Sequence, residues 1–131
     1  QLRQRLRIGV QWNTQVTITG SSHMVTQAYC SALPVAHSDH PPDLWESFAR
    51  LVLEASYEAT ICAAILNSQS TGNNRVFLTL LGGGAFGNRT DWITDSIKRA
   101  SKLYQDCDLE VAIVSYGASK PAVQQLVKQS A

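Results

Sequence analysis

The sequence predicts an α/β domain built on a mixed sheet, and three observations carry that reading. From Val76 onward, apolar strand patterns alternate with amphipathic helix patterns, strand-helix-strand-helix, which implies parallel pairing through right-handed crossovers. Before residue 34, two extended runs rich in β-branched and aromatic residues flank Gly20-Ser21-Ser22, the pattern of a hairpin-like pair. Between these halves runs one long segment with apolar residues at three- and four-residue steps, the pattern of a helix.

Each element has its own signal. Arg7 to Thr19 alternates apolar and polar positions through Ile8, Val10, Trp12, Val16 and Ile18, giving one long strand or two short ones broken near Asn13. Met24 to Leu33 is the second extended run, ended by Pro34. His37 to Pro42 is a polar loop whose paired prolines suit the first turn of a helix beginning near Asp43. In that helix Leu44, Phe48, Leu51, Val52, Ala55, Ala59, Cys62, Ala63 and Leu66 form the expected buried face, and Asn67 to Asn74 is a turn-rich stop. Val76 to Leu81 is almost wholly apolar, which predicts a strand buried on both faces. Trp92, Ile93, Ser96, Ile97, Ala100 and Leu103 mark a helix with Asn88 or Thr90 as its N-cap. Leu109 to Tyr116 is another apolar strand, and Pro121 opens a short last helix carrying Val123, Leu126 and Val127.

Composition narrows the function classes. Eleven basic against ten acidic residues leave no surplus of charge for a protein that lives on neutralising nucleic-acid phosphates. Arg3, Arg5 and Arg7 read as a solvated edge. Cys30, Cys62 and Cys107 are odd in number and widely spaced, so they read as reduced thiols, at least two of them small core residues, and they point to an intracellular, cytoplasmic setting. No apolar run approaches the roughly 20 residues of a membrane helix, so no membrane partner is expected.

The segment with the richest chemistry is Arg75-Val-Phe-Leu-Thr-Leu-Leu-Gly-Gly-Gly-Ala-Phe-Gly-Asn88, a strand that runs into a glycine-rich turn with a helix following. Gly82, Gly83 and Gly84 let main chain approach a ligand without an intervening side chain, and the following helix adds unpaired N–H groups and the positive end of its dipole. An anion between strand end and helix start is the chemistry this favours, with Phe86 offering a stacking face. No Lys-Ser or Lys-Thr follows the glycines as in a P-loop, and G-x-G-x-x-G fits poorly. The alternative is a tight turn whose small residues serve only close packing. Open α/β sheets bind ligands outside the carboxyl ends of their strands, where this turn would stand.

Other groupings have bland readings. Glu54 and Glu58 share a helix face, where paired carboxylates could serve as acid and base, but they suit a solvated or structural pair better. Asp39, Asp43 and Glu46 surround a helix start, where carboxylates complement the dipole. His37, Asp39 and His40 lack further ligands at recognisable spacing, so no metal site is expected. Cys30-Ser31 has no partner histidine and reads as core.

At Gly82-Gly-Gly-Ala-Phe-Gly-Asn88 the chain resembles the second ligand loop of macrodomain-fold proteins, closest to the G-C-G-A-F-G-G turn of poly(ADP-ribose) glycohydrolases. Val25-Thr-Gln-Ala-Tyr-Cys-Ser-Ala32 falls where that family has a strand, Trp45 to Asn67 where it has a long helix, and Val111 to Gly117 where its late strand ends in Phe-Gly. Order and spacing agree over residues 8 to 118, and the chain also looks similar to bacterial effector macrodomains that remove ADP-ribose from arginine. The resemblance implies a macrodomain-like three-layer α/β/α fold of which this chain is the C-terminal half, a fragment of a longer catalytic domain. It implies a site for ADP-ribose or ADP-ribosylated protein. There the backbone of Gly82, Gly83, Gly84, Ala85, Gly87 and Asn88 holds the diphosphate and Phe86 stacks on adenine or ribose, while Tyr116, Gly117 and Ser119 line the neighbouring wall. Hydrolysis of ADP-ribosyl linkages would follow in the intact protein, without a cofactor. The family's catalytic loop, with its glutamates, has no counterpart here and would come from a complementary N-terminal segment.

Overall fold

A computed structural model describes residues 1–130 and shows a mixed α/β domain. Strand β1 (Gly9–Gln15) pairs antiparallel with β2 (Met24–Tyr29), with Gly9 opposite Tyr29 and Gln15 opposite Met24. The register slips between Gln11 and Thr14, and Asn13 there takes a positive φ of 47°. The first strand is therefore one bulged strand, since the short polar side chain of Asn tolerates the left-handed region that a bulge requires.

Helix α1 (Pro42–Thr71) is 30 residues long, opens with proline in its first turn and ends at Gly72, whose φ of 76° closes the last turn by donating to the Ser68 carbonyl. Its buried residues are Ala49, Leu53, Ala55, Ser56, Tyr57, Ile61 and Ala63. This corrects the expected stripe: Leu44, Phe48 and Leu66 are 74%, 51% and 55% exposed. The helix is apolar around most of its circumference, so periodicity leaves the choice of face to the elements that pack on it.

Strand β3 (Arg75–Thr79) runs parallel to β4 (Glu110–Val114), from Arg75 opposite Glu110 to Thr79 opposite Val114. Helix α2 (Thr90–Leu103) connects them and α3 (Pro121–Ser130) follows β4. Each strand pair is a separate two-stranded sheet, so the expected single mixed sheet is divided between β2 and β3. Nor is β3 buried on both faces: Val76 and Leu78 turn into the core while Phe77 is 67% exposed. Alternation wins over composition here because the packed core lies on one side of the strand alone.

The core joins α1, α2 and the inward face of β3 through Leu53, Ile61, Leu78, Trp92, Ile93 and Ile97, with Leu126 of α3 at its margin. Trp92, at the start of α2, is completely buried, and truncating such a side chain costs about 3–5 kcal/mol. It anchors the far end of the glycine-rich turn. No helix among the described residues is long and apolar enough to cross a membrane.

Candidate functional site

The segment between β3 and α2 is held at four places. At its start the Tyr57 hydroxyl donates to the Thr79 carbonyl at 2.7 Å and accepts the Leu81 N–H at 2.9 Å. Tyr57 is buried, and burial pushes its pKa up to about 12, so the hydroxyl keeps the proton it donates. Within the turn, Gly83 N–H donates to the Leu80 carbonyl, Gly87 N–H to that of Gly84, and Asn88 N–H to that of Gly82. From outside, the Ala36 N–H donates to the Phe86 carbonyl at 2.9 Å. Finally Asn88, itself buried, donates its side-chain amide to the Leu33 carbonyl at 2.8 Å.

These contacts divide the glycines by role. Gly82 has φ of 71°, and a Cβ on it would lie 2.4 Å from the Ala32 Cβ and 2.6 Å from the Asn88 side-chain nitrogen. Gly87 has φ of 70° and a Cβ there would meet Ala36. Both are glycine for conformation and space. Gly84 differs, because its φ is not positive and a Cβ on it would meet nothing within 4 Å. It faces open space.

The same bonding pattern sorts the donors. Gly83, Gly87 and Asn88 spend their N–H groups inside the turn, which removes them from the expected set of anion donors. The N–H groups of Gly82, Gly84, Ala85 and Phe86 have no acceptor among the described residues. Gly84 and Ala85 are exposed, so their donors are open to solvent or to an anion. Phe86 is half-buried and meets His37 edge-on, with ring centroids 5.8 Å apart and planes at 78°.

Helix α2 begins directly after the turn. Its N-cap is Arg89 rather than Asn88 or Thr90, and no side chain caps it. Asn88 lies one residue before the cap with its side-chain nitrogen turned to the Leu33 carbonyl, and its Oδ1, the atom that would accept from the helix start, is buried without a hydrogen-bond partner. Asp91 in the first turn offsets part of the helix dipole and pairs with Arg89 at 3.1 Å.

Tyr116, Gly117 and Ser119 follow β4. The parallel register with Thr79 opposite Val114 brings this loop and the glycine turn out at the carboxyl end of the two strands. Tyr116 is fully exposed, Gly117 has φ of 77°, and the Ser119 carbonyl accepts from the Gln124 side chain at 3.2 Å. No hydrogen bond joins the two loops among the described residues.

The remaining candidates separate. Glu54 pairs with Arg3 and Glu58 with Arg99 at 2.8 Å, so each carboxylate has its own cation and no shared reacting position. His37 lies on Phe86 and His40 tilts toward Trp45, and no cluster of three metal-ligating side chains stands among the described residues. All three cysteines are free and half-buried, less buried than expected of core residues. Cys30 sits 3.8 Å from the Thr60 hydroxyl, and Cys62 Sγ stands 3.1 Å from the Tyr104 hydroxyl; the phenol proton held toward that sulfur, with burial added, pushes the Tyr104 pKa up to about 12.

Sequence reasoning missed two parts of this arrangement. Tyr57 lay outside the expected helix stripe, and its polar end gives no periodic signal. Arg50 joins Glu46, Asp91 and Asp95 at 2.8, 3.3 and 3.0 Å, tying α1 to α2 beside the turn, yet only its pairing with Glu46 at i,i+4 is visible along the chain.

No family model, curated protein or solved structure matches the chain.

Proposed function

We propose that the chain provides the diphosphate and adenosine side of a site for ADP-ribose or ADP-ribosylated protein, in a macrodomain-like α/β fold. The observation that carries this reading is the row of backbone donors at Gly84, Ala85 and Phe86, which have no acceptor within the described chain and precede an uncapped helix start. Diphosphate oxygens suit clustered N–H groups, and the helix end adds about 0.3–1 kcal/mol for an anion near it. Half-buried Phe86 supplies an aromatic edge or face beside those donors, and Tyr116 supplies an exposed ring at the same end of the strands.

Neither loop contains Asp or Glu. General acid or base catalysis at an ADP-ribosyl bond needs such a group, so in this proposal hydrolysis belongs to the intact protein and requires a carboxylate from a complementary segment. These loops by themselves favour a reader that binds without turnover.

Calorimetric titration with ADP-ribose tests the proposal, with ADP and adenosine as probes of its parts. Binding of ADP-ribose and ADP, lost in Gly84→Val and weakened in Phe86→Ala, is the expected result. Adenosine binding as tightly as ADP would remove the diphosphate role. No heat with any of the three from a chain shown to be folded by circular dichroism would leave the turn a packing device.

A further inference from the structure

Two arginines and four carboxylates meet where α1 passes the start of α2. Arg50 faces Glu46, Asp91 and Asp95, while Arg89 faces Asp91 and, at 3.8 Å, Asp43. Asp91 is therefore held from two sides, its Oδ1 accepting from Arg89 Nε at 3.1 Å and its Oδ2 from Arg50 Nη2 at 3.3 Å. The helix start beside it has open donors. The Ile93 N–H donates to the Arg89 carbonyl, but those of Thr90, Asp91 and Trp92 have no acceptor among the described residues. One residue before the cap, Asn88 is 5% exposed with its Oδ1 unpartnered, an acceptor that a hydroxyl of a phosphate-bearing ligand would satisfy.

Charge decides what this end can hold. A helix start is worth about half a positive elementary charge, whereas four carboxylates around two guanidinium groups leave a surplus of negative charge. An anion at the turn therefore needs a guanidinium of its own. Arg89 is the one placed to supply it: it directly follows the row of backbone donors, and its side chain is 52% exposed against 27% for Arg50.

We infer that Arg89 binds the diphosphate by exchanging Asp91 for a phosphate group, and that Arg50 permits the exchange by keeping Asp91 paired when Arg89 leaves it. The inference rests on the diphosphate reading above and adds side chains to a site so far built from backbone. A guanidinium presents parallel N–H donors that match two phosphate oxygens, and the exposed ion pair it gives up is worth little in water. Without Arg50, the departing arginine would leave Asp91 bare beside the incoming phosphates, and its full charge would outweigh the helix end. Glu46 and Asp95 take the Nε and Nη1 of Arg50 at 2.8 and 3.0 Å, which leaves Nη2 for Asp91. Arg50 is thus a positioning residue, acting on the ligand through Asp91.

Calorimetric titration of the full chain and its variants with ADP tests this. Arg89→Met, at an exposed position, weakens ADP by about tenfold or more with no change in the urea midpoint. Arg50→Met weakens it by about fivefold, and Arg50→Lys, which keeps the charge, by less. The deciding measurement is a double-mutant cycle, in which Asp91→Asn strengthens ADP binding about threefold more in the Arg50→Met background than in the unsubstituted chain. Equal factors in both backgrounds would leave Arg50 a structural tie and overturn the exchange. ADP bound as tightly by Arg89→Met as by the unsubstituted chain would overturn it too, with the backbone site left standing. No ADP binding by the unsubstituted chain, folded by circular dichroism, would remove the diphosphate reading and this inference together.

Discussion

A Cβ built on Gly87 would stand 2.6 Å from the Cβ of Ala36, while the Ala36 N–H donates to the carbonyl of neighbouring Phe86. The turn is therefore pressed onto the short helical turn Val35–His37 by backbone contact, and its glycines are not equivalent. Gly82→Ala and Gly87→Ala combine left-handed strain with overpacking and are expected to cost about 2–4 kcal/mol in urea unfolding. Gly84→Val should change stability by less than about 0.5 kcal/mol. A large loss there would mean that the open space at Gly84 is not open in solution.

Tyr57→Phe deletes one hydroxyl that serves both Thr79 and Leu81. Those two backbone groups retain a bond to each other, Leu81 N–H to the Thr79 carbonyl at 3.0 Å, so the expected cost is at the modest end, about 1–2 kcal/mol. Amide exchange at Leu81 should rise more than at Ile61 in the core. Equal increases would show that the hydroxyl supports the whole domain rather than the start of the turn.

Alkaline pH should reveal the same residue. Burial raises the folded pKa of Tyr57 from 10.0 to about 12, so between these values the unfolded chain releases its proton first. Stability contributed by the neutral hydroxyl is complete below pH 10 and falls as pH rises toward 12. Tyr57→Phe should flatten that decline, measured by urea midpoints across the window, and leave the part due to Tyr104, whose pKa is also raised. An unchanged slope would place the linkage elsewhere.

Asn88→Ala removes the side-chain bond to Leu33 and leaves a buried carbonyl without its donor. The expected loss is about 1–3 kcal/mol. Asn88→Asp should be at least as costly, because the carboxylate cannot donate to that carbonyl. Recovery of stability in Asn88→Asp would show that the partner of residue 88 is a donor instead.

Much of the element order was legible along the chain. The hairpin of β1 and β2, the long helix from Pro42, the parallel pair and the helix opening at Pro121 all follow from alternation, helical periodicity and proline placement, which are local properties. So was the position of the glycine turn, since a strand, a run of small residues and a helix in succession fix it at a strand end. Tertiary structure alone decided which face of α1 is buried, because a helix apolar on several sides has no face until α2 and β3 select Leu53, Tyr57 and Ile61. It also sorted the turn, holding Gly82 and Gly87 by contacts with Ala32 and Ala36, far away in sequence, and leaving Gly84 open. The separation of β2 from β3 has the same origin. Strand pattern records which side chains prefer burial, but pairing is made by backbone groups that every residue carries, so the sequence holds no local mark of an edge left free.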